Sequence, residues 1–311
     1  MNILTAFLVA TISSGTPLLF ATLGEILTEK VGNLNLGVEG MMMMGASFSF
    51  VVGMSTGSPG LALLAGMAAG GAGALIYSFL TVSLRANQVV TGLSLTIFGS
   101  GIADFAAKSY TGLTLPPGVT SVYAAVKIPL LGGIPVLGEV FFNQSILVYF
   151  GYAIAIFMWI YLYRTLPGLK ARAIGENPAA ADAAGVRVGA GKYAHVCIGG
   201  MLAGMGGAYL SLHYSATWQP SITGGMGWIA VALVIFAVWN PLRAVVGAYI
   251  FGLLRILPLQ LQTLGVTVSN QLVSMLPYAV TVLVLVLVSI RKSRKNPPPG
   301  DLGNAYFREE R

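Results

Sequence analysis

The chain has 311 residues, of which 56% are hydrophobic and only 9% charged, with a net charge of +7 and a mean hydropathy of +0.80. A soluble domain carries about 25% charged residues, so this composition points to an integral membrane protein. Continuous apolar runs such as 279–290 argue against a β-barrel, whose strands alternate, and basic residues set beside apolar spans argue against nucleic acid.

The predicted fold is an all-α polytopic transmembrane bundle of eight to ten spans. Nine fit best: 3–24, 36–54, 60–84, 89–108, 144–163, 193–214, 227–239, 244–261 and 272–290. No basic segment precedes the first, which reads as a span and not as a cleavable signal. The seventh is short for the ~20 residues a bilayer needs, so it extends at one end or is re-entrant. Residues 1–290 form the membrane domain. Placing the polar loop 164–192 in the cytoplasm puts all basic residues but Lys108, Lys127 and Arg255 there, which is 14 of the 17. That asymmetry sets the N-terminus out and the C-terminus in.

Between the first two spans, Glu25, Glu29 and Lys30 precede Asn33, Asn35 and Glu39. Glycines and asparagines break helical continuity here, and a broken helix at membrane depth exposes backbone groups to a substrate. A cytoplasmic turn with ordinary caps is the other reading of the charged residues. Asn33, Asn35 and Glu39 are accordingly candidates for the substrate pathway. Met41 to Met44 cover every face of a helix and suit packing. Asp104 and Lys108 are spaced to pair on one helix face, and Asp104 is the one carboxylate well inside a predicted span. The outer connection 109–143 is broken by prolines into short pieces.

Loop 164–192 is polar, basic and Ala-rich. Pro167-Gly168 sets a break, and Lys170 to Ile174 are short and cationic. Asn177 is the expected N-cap with Pro178 at the first helical position. Ala179 to Ala184 favour helix, and Gly185 is the expected left-handed stop. A short stiff helix at this place can carry force from a soluble motor to the spans. Further on, Gly66/Gly70 and Gly200/Gly204 have the spacing of close helix contacts. Cys197 stands alone, so it forms no internal disulfide or cysteine metal site and reads as a small buried hydrophobe. His195 and His213 read as packed or hydrogen-bonded residues. Trp218 and Gln219 lie in an outer segment that gates the pathway or meets a delivering protein, with interfacial anchoring as the alternative for Trp218. Arg255 lines an aqueous cavity or snorkels. The tail 291–311 reads as a basic cytoplasmic anchor with a poorly ordered end.

A phosphate-binding G-x-x-x-x-G-K does not occur, since Gly185 and Gly191 are one residue too far apart before Lys192. No nucleophile–base set, paired carboxylates or Cys/His cluster appears. The chain therefore reads as no enzyme, without its own ATPase site.

RTLPGLKARAIGENPAAADAAGV (164–186) resembles the cytoplasmic loop of ABC-importer permeases of the ribose, simple-sugar, nucleoside and branched-chain amino acid group. PLLFATLGEILTEKVGNLNLGVEGMMMMGA (17–46) and GMGWIAVALVIFAVWNPLRAVVGAYIFG (225–252) resemble the same group's N-terminal and C-terminal signatures. The NLNLGVEG and WNP forms are nearest the simple-sugar and nucleoside branch. The resemblance implies a multi-pass subunit of a bacterial-type inner membrane, paired with a longer, different permease. It implies a cytoplasmic ABC ATPase that binds ATP and Mg, an extracytoplasmic solute-binding protein, contact with membrane lipid, and no nucleic acid. It places Gly175, Glu176, Asn177 and Pro178 in the segment coupled to the ATPase, completed by Ala179, Ala180, Asp182 and Gly185. Ribose-type permeases have an extra N-terminal span that this chain lacks. An ion-coupled secondary transporter would need a working intramembrane carboxylate, and a scaffold or sensor would move no solute.

Overall fold

The structure, a computed structural model, describes residues 3–129, 131–263, 275–276, 279–283, 286 and 298–308. Its helices are α1 (Ile3–Glu29), α2 (Val38–Thr56), α3 (Pro59–Ser78), α4 (Gln88–Ala106), α5 (Pro117–Thr120), α6 (Leu137–Phe142), α7 (Ile146–Arg164), α8 (Leu166–Glu176), α9 (Pro178–Ala183), α10 (Val188–Tyr209), α11 (Met226–Phe236) and α12 (Pro241–Thr263). α3 and α10 each run on into a π turn, over Phe79–Ser83 and Leu210–Tyr214. The short strands β1 (Ala125–Lys127) and β2 (Asn143–Ser145) pair antiparallel in the outer connection.

Local chemistry starts these helices. Ser58 accepts from the Leu61 N–H ahead of α3, and Asn87 accepts from the Val90 N–H ahead of α4. Thr165 and Asn177 do the same for α8 and α9. Each satisfies an amide that the first helical turn leaves without a partner. Pro59, Pro167 and Pro178 stand where a missing N–H costs nothing. Gly57 closes α2 with φ +64°.

α10 is the central helix, with 83% of its most apolar window buried against α1, α2 and α3. Backbone-to-backbone approach makes this possible. A Cβ at Gly204 would lie 3.0 Å from the Gly70 Cα, and one at Gly206 would lie 2.7 Å from the Pro17 carbonyl. The Gly66/Gly70 and Gly200/Gly204 pairs thus form the α3–α10 seam, as their spacing predicts. Met41 to Met44 are all buried packing residues.

Among the described residues, seven helices are long and apolar enough to cross a membrane. α11 spans only 11 residues, about 16 Å of rise. The short seventh segment is therefore a half-length helix and does not cross alone. Most of the predicted ninth span, 272–290, lies outside the described residues. α1 runs on to Glu29, five residues past its predicted end, so Glu25 and Glu29 belong to a buried helix and not to a surface turn.

Candidate functional site

Loop 164–192 folds into two helices and a turn. α9 starts at the Asn177 cap, whose Oδ1 accepts the Ala180 N–H at 2.9 Å, and Gly185 ends it with φ +80°. α8 was not expected as a full helix. Pro167 opens it, because a proline after a Thr cap starts a helix as readily as it stops one. Exposure divides the element. Ile174, Gly175, Pro178 and Ala181 are buried, whereas Glu176, Asn177, Ala180, Ala183, Ala184 and Gly185 are exposed. Asp182 is half-buried, and its carboxylate accepts the Tyr306 hydroxyl at 2.8 Å. Gly175 has a separate task. A Cβ there would run into the Lys30 carbonyl, so glycine lets the end of α8 lie against the α1–α2 linker. Burial pushes the Lys30 amine below the usual lysine range, and Glu176 partly offsets this.

The linker itself is enclosed. Asn33 is 0% and Asn35 1% exposed. The Leu34 N–H donates to Gln88 at 2.7 Å, and the Leu34 carbonyl accepts from Tyr77 at 2.6 Å. The Asn35 N–H donates to Glu25 at 3.0 Å, and the Asn35 Oδ1 accepts the Gly37 N–H at 2.9 Å. These side chains satisfy a backbone that has no helical partners. Glu29 accepts from the Trp239 indole at 2.5 Å, which ties the end of α1 to the α11–α12 elbow.

Glu39 joins α2 to α11. Its carboxylate accepts from the Thr223 hydroxyl at 2.6 Å, the Gly225 N–H at 2.9 Å and the Gly227 N–H at 2.5 Å. It lies at the N-terminal ends of both helices, where the partial positive charge of each favours an anion. Both of its oxygens are thus engaged by the protein.

Trp218 is fully buried, which corrects the reading of it as an interfacial anchor. Its carbonyl accepts from the Gly112 N–H at 3.0 Å, and Thr114 bridges Thr217. The outer loop closes over the end of α10 through these contacts. Gln219 alone among the predicted pathway residues borders open space. It lines a cavity of about 230 Å³ with Tyr214, Ser215, Ser221, Met226 and Arg255. Arg255 thus takes the cavity-lining place that was one of its two readings. His195 is hydrogen-bonded on both nitrogens, to the Tyr161 hydroxyl and the Gly191 carbonyl. Asp104 and Lys108 are both exposed. Among the described residues no group of His, Cys, Asp or Glu is arranged to hold a metal.

Residues 7–285 match the family described as branched-chain amino acid transport system / permease component. The chain belongs to this permease family. The permease is 40% identical to the putative glucose ABC transporter permease protein TsgC13 of Haloferax volcanii, over 99% of both chains. It is 34% identical to the guanosine ABC transporter permease protein NupQ of Bacillus subtilis over 92% of both chains. Identity to the nucleoside ABC transporter permease protein NupC of Lactococcus lactis is also 34%, over 88% of both. No solved structure matches. The permease is thus a multi-pass membrane subunit of an ABC importer. It is not itself an enzyme, because ATPase activity lies in a separate subunit. Membership implies that ATPase and a substrate-binding protein as partners.

Three features of the permease escaped the sequence. The cavity forms where the π turn of α10 meets Ser221, which is at positive φ, and no residue pattern marks a π turn. The Glu39 carboxylate meets residues 184 to 188 positions away in the chain. Residues 298–308, expected as part of a poorly ordered tail, lie bonded to loop 164–192 at Gly175 and Asp182. The tail's glycines and prolines suggest a coil, yet its backbone amides find carbonyl partners there.

Proposed function

We propose that this permease is the shorter subunit of a heterodimeric importer that moves nucleosides or related simple sugars across the cytoplasmic membrane. The observation that carries this reading is the α8–α9 element, with one face packed on the spans and the other open. In this reading the ATPase, holding ATP and Mg, docks on the exposed Glu176, Asn177 and Ala180 face. Its closure on ATP moves α9, and the packed face of the element passes the motion to the α1–α2 linker. The solute-binding protein docks on the outer face, around 109–143 and 215–225, and releases solute into the cavity beside Gln219 and Arg255.

A second permease chain is part of the proposal because Bacillus subtilis has two guanosine ABC transporter permease proteins similar to this chain, NupQ and a second, NupP, which is 26% identical over 72% of this chain. The choice of cargo follows the solutes in the relatives' names, glucose and guanosine, because identity to those proteins runs almost end to end.

The test is copurification followed by uptake in proteoliposomes with guanosine, ribose, glucose, galactose and leucine. Guanosine or a sugar should enter only with the ATPase, ATP and the binding protein present. Uptake without ATP, or a chain that binds no ATPase, defeats the reading. Leucine alone entering would move the cargo to branched-chain amino acids. The double variant Glu176→Ala/Asn177→Ala should insert normally and lose about ten-fold or more in uptake, a loss of about 1.4 kcal/mol or more.

A further inference from the structure

The tail segment 298–308 joins four neighbouring elements: the end of α8, the α1–α2 linker, the start of α4 and the end of α9. The Asp301 N–H donates to the Gly175 carbonyl at 2.9 Å, at the end of α8. The Gly303 N–H donates to the Gly32 carbonyl at 3.1 Å, in the α1–α2 linker. The Asn304 carbonyl accepts from Gln88 at 3.0 Å, at the start of α4. The Tyr306 hydroxyl and the Arg308 Nε, at 2.8 and 3.2 Å, both reach the same Asp182 oxygen at the end of α9. Leu302 and Tyr306 pack against the main core, and the Arg85 guanidinium lies 4.6 Å from the Phe307 ring centroid.

We propose that residues 298–308 act as a coupling strap, holding the far end of α9 to the linker and to α4 so that movement of α9 becomes movement of the spans. This deepens the proposed function and rests on its reading of α9 as the element the ATPase drives.

Three physical points support a mechanical role. α9 has six residues, too few to be stable alone, and its two covalent joints are the extended Asn177 and the left-handed Gly185. Such a piece pivots unless its far end is held. Asp182 stands in its last turn, where a carboxylate opposes the helix dipole, so Tyr306 and Arg308 offset an otherwise unfavourable placement. The end of α8 already meets the linker at Gly175, whereas Asp182 is bonded to the tail. Backbone bonds at Gly32 and Gly175 also make the attachment largely independent of side-chain length. Gly32 and Gly303, both near φ +80°, shape the two strands of chain to pass each other.

The test compares four chains reconstituted with the ATPase and binding protein, using guanosine or glucose, whichever is taken up. They are the wild type, a chain ending at Asn296, the full-length double variant Asp182→Asn/Arg308→Gln, and the Glu176→Ala/Asn177→Ala variant. Uptake and ATP hydrolysis are read together. The shortened chain should bind the ATPase and hydrolyse ATP while solute moved per ATP falls about ten-fold. A synthetic peptide covering 297–311 should restore part of it, which mere damage to folding would not allow. The Asp182/Arg308 variant should lose about two- to three-fold by the same measure. Should the shortened chain fail to insert, that variant decides, and unchanged solute per ATP overturns the strap. Wild-type solute per ATP in the shortened chain, with uptake lost in the Glu176/Asn177 variant, overturns the strap and leaves the coupling reading intact. Full uptake in the Glu176/Asn177 variant removes the coupling reading and the strap together.

Discussion

Asn35 in the α1–α2 linker with Glu39 in the first turn of α2, and Glu176 with Asn177 at the α8–α9 joint, carry the same two functional groups, an amide and a carboxylate, within a few residues. In the first pair both are buried, and their oxygens accept from the amides of Gly37, Gly225 and Gly227. At the joint both are exposed, and Asn177 caps a helix whose outer face is free. The difference teaches what polar residues do in a membrane protein. Where the chain leaves helical geometry inside the bundle, side chains are consumed in satisfying its backbone. Where the element projects from the bundle, they keep exposed surface that a partner can reach, although Asn177 caps α9 and Glu176 accepts the Gly300 N–H at 3.2 Å. Substitutions in the linker should therefore act on stability, and those at the joint on transport.

The largest expected effect tests the buried side. Glu39→Ala leaves three donors without an acceptor and should destabilise the permease by about 3 kcal/mol or more. Thermal unfolding followed by size-exclusion in detergent reads this, and a variant as stable as wild type would reopen Glu39 as a substrate contact. Gly70→Val forces a side chain into the α10 backbone and should cost about 3 kcal/mol by overpacking. Gly60→Ala is its control, because a Cβ there has nothing within 4 Å. Asn35→Ala removes the acceptor for the Gly37 amide and should cost about 1–2 kcal/mol, with uptake per folded molecule unchanged.

On the exposed side the effects on stability shrink. Gly185→Ala must hold an L-residue at φ +80°, a strain of about 1 kcal/mol. It should speed amide exchange in α9 and lower uptake without moving the global unfolding temperature. Gln219→Ala, at the cavity edge, should leave stability within about 0.5 kcal/mol and alter only the apparent affinity for solute. Equal stability losses at Asn35 and Gln219 would erase the contrast between consumed and available side chains.

Much of the α8–α9 element was legible. Asn177, Pro178, the alanines and Gly185 encode a short helix within ten consecutive residues, and cap chemistry is local. α8 was misread at Pro167, because a proline marks the first turn of a helix as well as its end, and the Thr165 cap decides between them. The enclosed setting of the linker was not legible for a different reason. Breaks in helical pattern are visible in sequence, but whether freed backbone groups face a substrate or a neighbouring helix depends on Tyr77, Gln88 and Thr96, which are 43 to 60 residues away from the groups they satisfy. The docked tail was invisible for the same reason, since its bonds are made by backbone amides that every residue shares.

By itself the sequence determined the solvent of this protein, the order of most helices, the glycine seam and the local start and stop of α9. Those follow from composition, apolar run length and cap chemistry, all of which act within a few residues. Tertiary structure alone decided that α11 is a half-length helix joined to α2 through Glu39. It also decided that the linker is sealed, that the cavity opens beside Gln219 and Arg255, and that the tail returns to α9. Each of these turns on which donor meets which acceptor after the helices have packed, and residues far apart in the chain choose those partners only once the bundle has formed.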